Sequence, residues 1–184
     1  RYYASNSALT TANLGVFFDP QYQGDGLKIQ EIIKRGPFDV KNTGVTAGCI
    51  IESIDGEEIK AGMDYFPLLD GKVGKNVRLG IRNAKGKKME VTVKAISQGK
   101  LNNLLYKRWV DRNRAFVDSI SGGRIAYVHV KAMNSESFRT VYSELLSDKN
   151  RNRDAVIVDE RHNGGGWLHD DLCTLLNGKQ YQEF

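Results

Sequence analysis

The chain has 184 residues, a formal net charge of +5 and only two cysteines, Cys49 and Cys173. That length accommodates one large domain or two small ones, and no apolar run is long enough to cross a bilayer as a helix. The basic residues are spread along the chain, which argues against a nucleic-acid patch, and two isolated cysteines indicate neither a disulfide framework nor a zinc site.

In chain order, the N-terminal segment Arg1-Tyr2-Tyr3-Ala4-Ser5-Asn6 lacks the apolar core of a signal peptide. Residues 12 to about 96 then read as short strands: Val16–Phe18, Leu27–Ile33, Cys49–Ile54, Val77–Ile81 and Met89–Val93. Several alternate apolar and polar residues, the pattern of a half-buried strand. Gly24-Asp25-Gly26, Asp55-Gly56 and Asn83-Ala84-Lys85-Gly86 supply the turns between them. A short helix is expected within Met63–Leu69. This pattern predicts a small, partly open β-barrel near the lower size limit for an independent core.

Residues 100 to 118 change period. Leu101, Leu104, Leu105, Trp109, Phe116 and Val117 recur at helical spacing with charged residues between them, predicting an amphipathic linker helix. From Gly123 the pattern alternates. Arg124–Val130 is a strand; Ser135 is the expected N-cap of a helix from Glu136 to Leu146 with Phe138, Val141, Tyr142 and Leu145 on one face. Ala155–Val158 is a nearly continuous apolar strand, as expected when both faces are covered. Two strands around one helix form a single crossover unit and leave an edge and a face open. The pattern therefore predicts an α/β domain of which this chain holds the first part.

Between that last strand and a helix at Leu168–Leu176 lies Asp159-Glu160-Arg161-His162-Asn163-Gly164-Gly165-Gly166-Trp167. Three glycines there present bare backbone N–H groups, expected at a helix N-terminus, to a phosphate or to the oxyanion of a tetrahedral intermediate. A plain tight turn is the third reading. The phosphate reading lacks the spacing of a dinucleotide fingerprint, because Trp167-Leu168-His169 follow, and lacks the Gly-Lys-Ser/Thr of a P-loop. His162 and Asp159 alternate in direction and make a poor dyad. His129, between Val128 and Val130, reads as a surface or hydrogen-bonded core histidine. His169-Asp170-Asp171 lacks an i, i+4 ligand pair, so no metal is expected; the two aspartates suit a helix first turn.

Asn13-Leu14-Gly15-Val16-Phe17 resembles the carboxylate-binding loop and first peptide-pairing strand of PDZ domains, and Val45–Ile59 resembles the PDZ segment ending in an I-x-G-x-x-I/V turn. Lys34-Arg35-Gly36-Pro37-Phe38-Asp39 and Gly74–Ile81 resemble further PDZ elements. With the helix Tyr106-x-x-Trp109-Val110-x-x-Asn113-Arg114, the strand after Gly123 and the Asp159-x-Arg161-x-Asn163-Gly164-Gly165-Gly166 motif, the order resembles the tricorn-type serine proteases, relatives of the C-terminal processing peptidases.

The resemblance implies a mixed α+β chain. Its parts would be an N-terminal segment (1–11), a PDZ-like domain (12–97), a linker helix (98–122) and the beginning of a crotonase-like α/β peptidase core (123–184). It implies that the Gly166 N–H belongs to the oxyanion hole and that Gly164, Gly165 and Gly166 contact substrate. It also implies that Leu14, Gly15 and Val16 bind peptide through backbone donors, or else form a degenerate groove. Asp159 and Arg161 would anchor the loop, and Tyr106 and Trp109 would be core contacts. The catalytic histidine would lie at or before residue 1, since Ala4-Ser5-Asn6-Ser7 holds none, and the nucleophilic serine and supporting glutamate past Phe184. The implied partners are unstructured polypeptides, with no nucleic acid, no membrane span and no cofactor; homo-oligomerisation of the parent is compatible with the resemblance. The competing class is a non-catalytic PDZ adaptor.

Overall fold

A computed structural model of the chain describes residues 10–40 and 43–177; Ala4-Ser5-Asn6-Ser7 lies outside the described residues. The chain forms two compact units divided between Lys107 and Arg108.

The first unit is an open antiparallel sheet. Its strands are β1 (Val16–Phe18), β2 (Leu27–Ile32), β3 (Ile50–Ile54), β4 (Glu57–Glu58), β5 (Asn76–Arg82) and β6 (Lys88–Lys94). They run in the order β1-β2-β3-β5-β6, with β4 paired to β3. The five predicted strands are all present, and only the two-residue β4 was not foreseen. The strand β5 makes the alternation explicit: Val77, Leu79 and Ile81 are buried while Arg78 stays in water. With Ile29, Ile51 and Ile54 these residues form the core. The sheet curls back on itself where Asn13, before β1, and Ile96, after β6, exchange both backbone hydrogen bonds at 2.8 and 2.9 Å. The expected short helix is a single 3-10 turn at Phe66–Leu69, with Pro67 near its start.

The predicted linker helix is α1 (Gln98–Ile120). Its first half buries Leu101 and Leu104 with Ile33 and Ile96. Phe116, expected on the apolar face, is exposed instead.

The second unit holds β7 (Ile125–His129), α2 (Ser135–Leu145), β8 (Ala155–Asp159) and α3 (His169–Asn177). The strands pair in parallel, Ile125 opposite Ala155 through His129 opposite Asp159. Val128, Val130, Val141, Leu168 and Leu172 form its core. Three expectations are corrected here. The N-cap of α2 is Asn134, not Ser135: the Asn134 carboxamide oxygen accepts from Ser137 N–H at 2.9 Å, satisfying an otherwise orphaned donor. Tyr142 lies off the buried face of α2. The outer positions of β8 are not covered on both faces; Val156 and Ile157 are exposed, because only β7 pairs with β8 among the described residues.

Candidate active site

The parallel pairing sets the ends of β7 and β8 side by side, and the polar residues of the motif collect there. Asp159 is buried, and its carboxylate is fully engaged. It accepts from the Arg161 backbone N–H at 2.9 Å, from Arg161 Nε at 3.0 Å to each oxygen and from Arg161 Nη2 at 2.5 Å. The buried Tyr127 hydroxyl donates to it at 2.6 Å and in turn accepts from Asn113 of α1 at 3.3 Å. The Arg161 hydrogen bonds, aided by Tyr127 and opposed by burial, hold the Asp159 carboxyl far below the usual carboxylate range. Burial, then the adjacent carboxylate, raises the Tyr127 phenol, so it remains a donor.

This cluster braces the chain as it leaves β8. The Arg161 guanidinium sits over the Trp109 ring at 5.1 Å, and the Trp109 and His129 rings stand perpendicular with centroids 4.9 Å apart. His129, buried, donates from Nε2 to the Arg161 carbonyl at 2.8 Å. The expected anchoring role of Asp159 and Arg161 thus acquires a concrete geometry. Trp109 is a packing partner of the loop itself, and His129 is a hydrogen-bonded core residue. His162, at φ 65°, is exposed, and the Asp159 oxygens are taken by other donors, so no dyad forms.

Past His162 the loop is held against the segment that follows β7. Asn163 donates from its side chain to the Val130 carbonyl at 2.9 Å and accepts from Gly165 N–H at 2.7 Å. Met133 N–H donates to the Gly165 carbonyl at 3.2 Å. The Gly165–Gly166 peptide is planar and trans, so the Gly166 N–H leaves on the side opposite Met133. Among the described residues no protein acceptor takes the N–H of Gly164 or Gly166. Gly166 adopts φ 136°, and a Cβ there would lie 2.3 Å from the Met133 carbonyl oxygen, so only glycine fits. By contrast, an added Cβ at Gly164 meets nothing within 4 Å. The glycines lie between β8 and α3 as expected; α3 starts at His169, with Trp167 and the buried Leu168 between it and Gly166. Asp170 and Asp171 do occupy that first turn.

The structural contributions of Tyr127 and Asn163 were not legible as such in the sequence. The one signal for Tyr127 was a hydroxyl-bearing residue in an otherwise apolar strand, two positions before His129 and hence on the same face. Among the described residues no cluster of histidine, cysteine and carboxylate side chains is arranged to hold a metal.

In the first unit, Leu14 is buried, so it offers only its backbone outward. Gly15, at φ 68°, gives its carbonyl to Ile33 N–H at 3.0 Å. By the same trans-peptide geometry, the Val16 N–H points away from β2, toward the free edge of β1.

Residues 14–98 match the family described as Tricorn protease PDZ domain, and residues 124–177 match Peptidase family S41. The class is therefore a PDZ domain followed by a peptidase-family segment. More specifically, most of the chain is similar to tricorn proteases and their homologues. It is 29% identical over 182 residues to a tricorn protease homolog of Saccharolobus solfataricus, covering 95% of this chain and 16% of that protein. It is 29% identical over 133 residues to the tricorn protease of Thermoplasma acidophilum, covering 72% of this chain and 12% of that one. The chain thus spans less than a fifth of either relative. The crystal structure of the tricorn protease shares its fold with a TM-score of 0.73 at 23% identity, over 95% of this chain and 17% of that one.

Proposed function

We propose that this chain contributes the oxyanion-binding loop, and a peptide-binding PDZ domain, to a serine-type endopeptidase that hydrolyses unstructured polypeptides through an acyl-enzyme. The PDZ domain corresponds to residues 12–97, the linker helix to 98–122 and the start of a crotonase-like core to 123–184. The observation that carries the reading is the Gly165–Gly166 peptide, whose carbonyl is tied to Met133 and whose N–H is thereby aimed outward with no protein acceptor among the described residues. A donor fixed before the reaction stabilises the charge that develops on an attacked carbonyl without reorganising. Gly164, Gly165 and Gly166 would line the path of the substrate, and the open space over Gly164 leaves room for a peptide backbone.

A donor alone cannot start acyl transfer, because a serine hydroxyl needs a base and the base an orienting group. His129 and His162 are engaged or oriented by the loop's own scaffold, and on this reading the nucleophilic serine and its base come from other parts of the full-length protein. The purified 184-residue chain is therefore expected to leave an unstructured fluorogenic polypeptide uncut and to take up no fluorophosphonate label, whereas the full-length protein does both. Serine-reagent-sensitive cleavage by the chain alone would refute this partition of roles.

A second reading, capture of a polypeptide C-terminus by the PDZ unit, is favoured by the edge position of β1 and the outward Val16 N–H. Backbone donors from Leu14 to Val16 would receive the carboxylate, and β1 would pair with the peptide. Alanine at Gly15 would need a left-handed backbone with its Cβ 2.4 Å from Pro37 Cδ. Gly15→Ala should therefore destabilise the first unit by about 1–3 kcal/mol and weaken peptide binding. Calorimetric titration with C-terminal peptides checks the binding; unchanged affinity in the variant counts against this groove.

A further inference from the structure

The Asn163 side chain is the only group in the loop that bonds at once to the end of β7 and to the glycine run, among the described residues. Its Nδ2 donates to the Val130 carbonyl at 2.9 Å, and its Oδ1 accepts from Gly165 N–H at 2.7 Å. The Gly165 carbonyl is held separately by Met133 N–H at 3.2 Å. Both polar groups of Gly165 are thus tied down, one by a side chain and one by backbone. A glycine has no side chain to restrict it, and Gly164 and Gly165 meet no neighbour where a Cβ would stand. Packing therefore does not hold Gly164 and Gly165, and hydrogen bonds must.

We infer that Asn163 is a positioning residue for the oxyanion donor: by pinning Gly165 to Val130, its carboxamide acts together with the Met133 N–H to set the orientation of the Gly166 N–H. The inference rests on the reading of Gly166 as that donor. The two ends of the carboxamide have different jobs. The amide nitrogen fixes the side chain to Val130, just past β7, which is itself bonded to Asp159 at the end of β8. The oxygen then fixes the loop to the side chain. An aspartate keeps the acceptor but loses the donor, and it places a carboxylate against the Val130 carbonyl. Alanine loses both.

The test uses the full-length protein, as wild type, Asn163→Ala and Asn163→Asp, with two independent readouts. The first is hydrogen exchange followed by mass spectrometry over peptides spanning residues 160–168. Asn163→Ala is expected to speed exchange there by about tenfold while peptides covering β7 and β8 stay at the wild-type rate. The second is kinetics. Asn163→Ala is expected to lower kcat by about 10- to 100-fold with KM little changed, because only an interaction made in the transition state is weakened. The affinity for a peptide aldehyde, which gives a tetrahedral adduct, should fall by the same factor as kcat/KM, and that for the matching peptide alcohol should not change. Asn163→Asp should keep part of the protection and lose activity to an intermediate or greater degree; it also serves if the alanine variant fails to fold. Wild-type exchange at 160–168 in both variants would overturn the inference, as would an equal loss of aldehyde and alcohol affinity. A wild-type protein that neither cleaves peptides nor binds the aldehyde would instead overturn the reading of Gly166, and the exchange data would still decide whether Asn163 holds the loop.

Discussion

Replacing Gly166 by alanine in the full-length protein should lower kcat for peptide hydrolysis by about 10²–10³-fold, the usual cost of losing one oxyanion-hole donor. The N–H is chemically retained in the variant, so the effect comes from geometry. A methyl group at this position would stand 2.3 Å from the Met133 carbonyl oxygen and 2.7 Å from the Met133 Cβ. Backbone atoms cannot yield that far locally, so the Gly165–Gly166 peptide must swing away from the segment after β7. The backbone at φ 136° is also one that an alanine rarely adopts. Gly164→Ala is the informative comparison, since nothing lies within 4 Å of its added Cβ. That variant should fold like its parent and, if the substrate runs over Gly164, should raise KM more than it lowers kcat. Steady-state kinetics of both variants, with thermal melting to monitor folding, checks the pair. Wild-type turnover in a folded Gly166→Ala protein would remove the main physical support for the oxyanion assignment.

The second large effect concerns the cluster beneath the loop. Asp159→Ala should destabilise the second unit by about 2 kcal/mol at neutral pH, because it removes charge-assisted hydrogen bonds from Arg161 and leaves the buried Tyr127 hydroxyl without its acceptor. The exposed guanidinium of Arg161 keeps the loss from being larger, since water can solvate it. The pH dependence has a definite sign. The Asp159 carboxyl is lowered in the folded state, relative to about 3.9 for an unfolded aspartate. Its contribution is therefore fully present above that unfolded value and lost as pH falls through the acid range below it. Asp19, Glu52, Asp55 and Asp118 are lowered as well, by their own lysine and arginine partners, but they are common to wild type and variant and cancel in the difference. Urea unfolding followed by tryptophan fluorescence suits this measurement, because the only two tryptophans, Trp109 and Trp167, both lie in the second unit. The stability gap between wild type and Asp159→Ala should narrow markedly from pH 7 to pH 3. A gap of the same size at both would mean that the carboxylate's charge is not what braces the loop.

These two expectations draw on different levels of the molecule. The glycine run and its aspartate and arginine stand within eight residues of one another, and a reader of the chain can single them out. Apart from Asn163, the residues that orient them do not: Asn113 is on α1, Tyr127, His129 and Val130 on or beside β7, and Met133 beyond it.

Local pattern was enough for most elements. The alternation of Val77, Leu79 and Ile81 specified β5, and the leucine spacing from Leu101 specified α1, because the side-chain periods of strands and helices are imposed by backbone geometry and act over a few residues. The same local logic failed where two neighbours could serve equally, as with Asn134 and Ser135, and where burial depended on distant chain, as with Phe116 and Val156. By itself, then, the sequence determined the strands and helices, the turn positions and the motif with three glycines. Tertiary structure alone decided which way the Gly166 N–H points, since that direction follows from the parallel register of β7 and β8 and from hydrogen bonds between residues some 30 positions apart. Contacts of that span leave no periodic trace in the chain, because each is made once, by a side chain whose partner only folding brings near.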